Sequence, residues 1–72
     1  MSPANQPLAN QIRRLRFEHG ELTQQQLAER VGVTRQTIIA LEAGDYAPSL
    51  PLAFRLARAF GVKIEEVFQW QE

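Results

Sequence analysis

The 72-residue chain contains no cysteine, which excludes disulfides and thiolate metal sites. Its one histidine, His19, cannot build a metal site without carboxylate help, and no ligand spacing accompanies it. Net charge is lacking too: eight basic and eight acidic side chains cancel. That counts mildly against non-specific nucleic-acid binding, where a positive excess is usual. No run approaches the roughly 18 apolar residues of a membrane span. The opening "MSPANQP" is polar and has no signal-peptide core, so a cytoplasmic location without membrane contact is expected. There is no His–carboxylate pair, no nucleophile with a base and no glycine-rich phosphate loop. An enzyme is therefore not expected, nor a cofactor, metal or small-molecule ligand.

What is present is apolar content of 44%, enough for a small core and too much for disorder. Residues 1–7 read as a flexible leader, and Pro7 suits a first helical turn. Leu8, Ile12 and Leu15 then recur at helical spacing, and Gly20 ends this first helix. Thr23 opens a second, with Gln26 completing a capping-box pattern and Leu27, Ala28 and Val31 facing inward. Gly32 stops it as a left-handed residue would. Thr34 caps a third helix, whose inner residues are Ile38 and Leu41, with Thr37 beside them; Gly44 ends it. Ser49 caps a fourth, with Leu52, Leu56 and Phe60 at intervals of four and with Phe54 and Ala57 widening the apolar face. A short fifth helix spans about Ile64 to Phe68, with Lys63 a poor cap. No strand pattern is visible, except that "VFQWQE" could be extended.

The second and third helices carry the chemistry. Only "GV" and the Thr34 cap separate them, which forces a crossing of roughly 90–120°. Ala28 is small where the backbones must approach, and Val33 can meet Leu27 and Val31. This is the helix-turn-helix pattern. With Ile38 and Leu41 inward, Arg35, Gln36, Ile39, Ala40 and Ala43 must point outward. An α-helix fits the major groove of B-DNA. There Arg can bond guanine, Gln can bond adenine, and Ile39 or Ala40 can touch a thymine methyl. The plainer alternative is a solvated helix face, which the apolar Ile39 and Ala40 make less comfortable. Thr23, Gln24 and Gln25 open the second helix with free N–H groups suited to phosphate. Tyr46 and Ser49 could reach the other strand's backbone, although Tyr46 could instead pack on Pro48.

The segment "IRRLR…LTQQQLAERVGVTRQTIIALEAGDYAPSLPLAFRLARAFGVKIEEVF" resembles the XRE (Cro/C1-type) helix-turn-helix regulators, in particular their minimal bacterial members. The resemblance implies an all-α fold: a compact five-helix, phage-repressor-like DNA-binding domain over residues 8–70, with the motif at about 24–43. It implies base contacts by Arg35, Gln36 and Ala40, flanked by Thr34 and Ile39. Gln24 matches a glutamine that contacts phosphate and braces the recognition helix. Arg16 and Glu42 match a structural salt bridge between the first and third helices. Two positions depart from the family: Asp45 places a carboxylate where relatives are often basic or polar, and Ala43 replaces a frequent polar contact.

Such proteins usually dimerise, so that two helices enter successive major grooves of a palindrome about 34 Å apart. Val67, Phe68 and Trp70 are the candidate surface for a homodimer; the alternative is that Phe68 and Trp70 fold back onto the first and fourth helices. The expected function is sequence-specific binding of double-stranded DNA as a transcriptional repressor. The rival keeps the fold and changes its use, to a protein-interaction module or an antitoxin-like partner.

Overall fold

The computed structural model describes residues 7–71. The leader expected over residues 1–7 lies outside the described residues except for Pro7. Along the described chain run β1 (Leu8–Asn10), α1 (Ile12–Glu18), α2 (Gln24–Val31), α3 (Arg35–Ala43), α4 (Leu50–Phe60), α5 (Ile64–Val67) and β2 (Phe68–Trp70). All five expected helices form, and two short strands accompany them.

Local chemistry accounts for the helix ends. Thr23 Oγ1 accepts from the Gln26 N–H at 3.0 Å, and Gln26 Oε1 accepts from the Thr23 N–H at 2.9 Å. Two otherwise orphaned donors at the start of α2 are thus satisfied reciprocally. Thr34 and Ser49 hydroxyls accept from the Thr37 and Leu52 N–H groups and cap α3 and α4. Lys63 supplies no cap, but Glu66 reaches back to the Lys63 N–H at 2.7 Å and holds the first turn of α5. Gly32, at φ 76° and ψ 34°, adopts the left-handed conformation. In that conformation the Gly32 and Val33 N–H groups both turn back to the Ala28 carbonyl. This closes α2 and frees the chain to start α3 almost at once.

The core is built from one face of each helix: Ile12 and Leu15 of α1, Leu27, Ala28 and Val31 of α2, Ile38 and Leu41 of α3, Leu52, Leu56 and Phe60 of α4. Ala28 is completely buried, as the close approach of the α2 and α3 backbones requires. Phe54 does not widen the α4 face; it is 51% exposed, and Ala53 is buried instead. Two residues beyond Leu52 is about 200° around a helix, which carries Phe54 to the solvent side.

The first helix does not begin at Leu8. Leu8–Asn10 pair antiparallel with Phe68–Trp70, in the register Leu8 with Trp70, Ala9 with Gln69 and Asn10 with Phe68. The fold is therefore helical with a two-stranded ribbon closing it. The ribbon continues past its strands: the Gln71 N–H donates to the Pro7 carbonyl at 2.6 Å and the Gln11 N–H to the Val67 carbonyl at 2.8 Å. Asn10 joins it to the helices. Its Oδ1 accepts from the Ile12 N–H at the start of α1, and its Nδ2 donates to the Leu41 carbonyl near the end of α3 at 2.8 Å. No helix among the described residues is long and apolar enough to cross a membrane.

Candidate nucleic-acid interface

The surface in question is the outward side of α3 and the helix start beside it. Counting about 100° per residue from Arg35, Ile39 lies near 40°, Ala43 near 80°, Gln36 near 100° and Ala40 near 140°. These five make one continuous strip. Arg35, Gln36 and Ala43 are exposed, while Ile39, within the strip, and Ala40, at its edge, are half-buried. Thr34 is exposed as well, but its hydroxyl is engaged with the Thr37 N–H and side chain as the α3 cap.

Two clefts flank the strip. The first, of about 480 Å³, lies between α1 and the starts of α2 and α3; Thr23, Gln24, Gln25 and Arg35 line it together with Arg13, Arg16, Phe17 and Glu42. The second, of about 360 Å³, is lined by Gln36, Thr37, Ala40, Asp45 and Tyr46. Arg35 and Gln36, neighbours in sequence, thus border different clefts on either side of one ridge. Tyr46 is 44% exposed beside α3, and Pro48 borders another groove. The Asp45 carboxylate stands in the same cleft as Gln36, where it disfavours an approaching phosphate.

The floor of the first cleft is an ion pair. Arg16 Nε donates to Glu42 Oε2 at 2.7 Å and Arg16 Nη2 to Glu42 Oε1 at 3.0 Å. A third donor, Nη1, reaches the Leu22 carbonyl at 2.9 Å, and both side chains are only 11% exposed. The Gln24 amide donates to the same Glu42 Oε1 at 3.3 Å. One carboxylate on α3 is therefore held from α1 and from the first residue of α2. The angle between the helices of the motif is fixed by this hub as well as by Gly32. Gln25 is exposed and bonds Glu29 one turn along, and Ser49 keeps its O–H free to donate while its oxygen caps α4.

The three residues expected at a dimer contact divide. Val67 is completely buried and Phe68 is 9% exposed, so both belong to the core. Neither offers the surface that an intermolecular contact needs. Trp70 is 68% exposed. It borders an apolar groove of about 410 Å³ with Leu8, Pro48, Leu50, Ala53 and Ile64, and Phe68 shows only an edge there. Glu65 also lines it, and Leu50, 66% exposed, is the large apolar residue of this face that the sequence pattern does not single out. Arg13 and Phe17 also line the first cleft, and no local pattern of the sequence singles them out.

Comparison with known proteins follows this geometry. A model of the helix-turn-helix family matches residues 12–67. The chain is similar to an uncharacterized HTH-type transcriptional regulator of Methanocaldococcus jannaschii, 51% identical over 65 residues that cover 90% of this chain and 97% of that protein. It is also similar to the cryptic phage CTXphi transcriptional repressor RstR of Vibrio cholerae, 37% identical over 59 residues, covering 82% of this chain and 52% of that protein. Among solved structures, the restriction-modification controller protein C.AhdI from Aeromonas hydrophila superposes with a TM-score of 0.69 at 33% identity, covering 76% of this chain and 78% of that one. These are regulators and a controller by name, not enzymes.

Proposed function

From the premise that the chain belongs to the XRE (Cro/C1-type) helix-turn-helix family of DNA-binding transcriptional regulators, we propose that it is a repressor that binds a palindromic operator as a homodimer. The observation that carries this reading is the strip of Arg35, Gln36, Ile39 and Ala40, turned outward on a helix whose angle is held by Gly32 and by the Arg16–Glu42 pair. With α3 in the major groove, Arg35 bonds a guanine and Gln36 an adenine, while Ile39 and Ala40 meet thymine methyls and Thr34 flanks them. Thr23, Gln24 and Gln25 take phosphates on one side, Tyr46 and Ser49 on the other. A repressor among the relatives supports the sign of regulation. The protein acts where DNA lies, in the cytoplasm.

One α3 reads only a few base pairs, so a second copy is needed for a specific site. Trp70 and the groove beside it support a two-fold contact, because knob and hollow lie on the same face of each copy. Selection of bound fragments from a random DNA library tests the reading. Two inverted half-sites about one helical turn apart are expected. Absence of salt-sensitive binding to every duplex in the library would reject it.

A further inference from the structure

The first cleft holds a cation that this reading leaves unused. In a chain of zero net charge, attraction to DNA must come from particular side chains and not from the total. Two of the arginines nearby already have a carboxylate partner: Arg14 has Glu18 at 3.7 Å on the surface, and Arg16 has Glu42 at 2.7 Å. Arg30, Arg55 and Arg58 border a separate cleft that shares no residue with this one. Arg13 and Arg35 remain. Both are exposed, both line the first cleft, and neither has a carboxylate within 4.0 Å among the described residues.

Arg13 is also held in place. Its guanidinium carbon lies 5.8 Å from the centroid of the Phe17 ring, and Arg16 lies at the same distance from that ring. Both are within cation–π range. Phe17 is 53% exposed, so burial does not account for an aromatic ring there. It serves as a shelf that keeps Arg13 at the cleft instead of free in solvent. The Arg16 guanidinium below is paired with Glu42 and spends three of its five donors on Glu42 and the Leu22 carbonyl, so the unpaired positive charge facing an entering anion is that of Arg13 and Arg35.

We propose that Arg13 binds a phosphodiester of the DNA backbone that enters this cleft, opposite Arg35. The proposal rests on the DNA-binding reading above and adds α1 to the elements that touch DNA. It is tested by fluorescence anisotropy on the selected operator and on a random duplex, across a range of salt, for the wild type, Arg13→Ala, Arg13→Lys and Arg14→Ala. Arg13→Ala is expected to weaken both duplexes alike, by on the order of tenfold at low salt, and to lower the slope of log affinity on log salt by about one. Arg13→Lys should retain most of the affinity, and Arg14→Ala should behave as wild type. Inorganic phosphate at matched ionic strength should compete no better than chloride. The proposal is overturned if Arg13→Ala binds as wild type, if it loses operator binding alone, or if Arg14→Ala costs as much. Selective competition by inorganic phosphate would assign the cleft to the free ion and overturn it too. A wild type that binds no duplex removes the regulator reading itself, and this contact with it. All four proteins should melt alike, since Arg13 and Arg14 are exposed.

Discussion

Arg16 and Glu42 are joined by two parallel hydrogen bonds across 26 positions of sequence, with both side chains almost out of solvent. Removing one partner of such a pair leaves the other charge buried without compensation. Arg16→Ala is therefore expected to destabilise the fold by about 3 kcal/mol, measured by urea denaturation. Replacing both, as Arg16→Met with Glu42→Leu, should recover most of that loss. A single variant as stable as the wild type would mean that the pair does not hold α1 to α3.

At Gly32 a different cost is expected. A Cβ there would meet nothing within 4 Å, so the only penalty of Gly32→Ala is its φ of 76°. About 1–2 kcal/mol of destabilisation should follow, the strain of a left-handed alanine. A loss well above that would point to a clash and so to a different turn.

Arg35 and Gln24 should separate base reading from backbone binding. Arg35→Ala is expected to lose about 1–3 kcal/mol on the operator and to relax preference at one base pair. Gln24→Ala should weaken all duplexes by a similar factor, because its partner in the structure is Glu42 and its proposed partner on DNA is a phosphate. Anisotropy titrations against operator variants distinguish the two; equal losses on every sequence for Arg35→Ala would make it a phosphate contact.

Val67 and Trp70 should part in the same way. Val67→Ala removes buried methyl groups and should cost about 2 kcal/mol of folding stability. Trp70→Ala should leave the melting of the monomer nearly unchanged while sedimentation shows the dimer lost. A dimer that survives Trp70→Ala moves the two-fold contact elsewhere.

What was legible in the sequence follows how local each feature is. The helices of the motif are set by residues within a few positions of one another: Thr23 with Gln26, Gly32 with Ala28, Thr34 with Thr37. Outward exposure of Arg35 and Gln36 follows directly once Ile38 and Leu41 are inward. Half of the ribbon is legible, since the extended reading of "VFQWQE" covers β2; its partner is not, because β1 is three residues long, too short for an alternating pattern, and Leu8 also fits a helical spacing with Ile12. The burial of Val67 and Phe68 depends on the same long-range closure, since both join the core formed by residues far away in sequence. The Phe54 error was avoidable, because the helical angle from Leu52 alone turns it outward. Arg13 is a distinct case: its meaning depends on where α1 sits against the starts of α2 and α3, which no local window contains.

The ribbon makes the chain a closed loop in all but covalent bond, with Pro7 and Gln71 hydrogen-bonded to each other. The two strands therefore do not fray independently. Loosening the first unpairs the last, and the Asn10 bond to the Leu41 carbonyl near the end of the reading helix goes with it. The ribbon also sets Leu8 and Trp70 opposite each other, where both line the apolar groove. A change that unpairs the ribbon would therefore disturb two surfaces at once: the end of the reading helix, through Asn10, and the face where a second copy is proposed to dock.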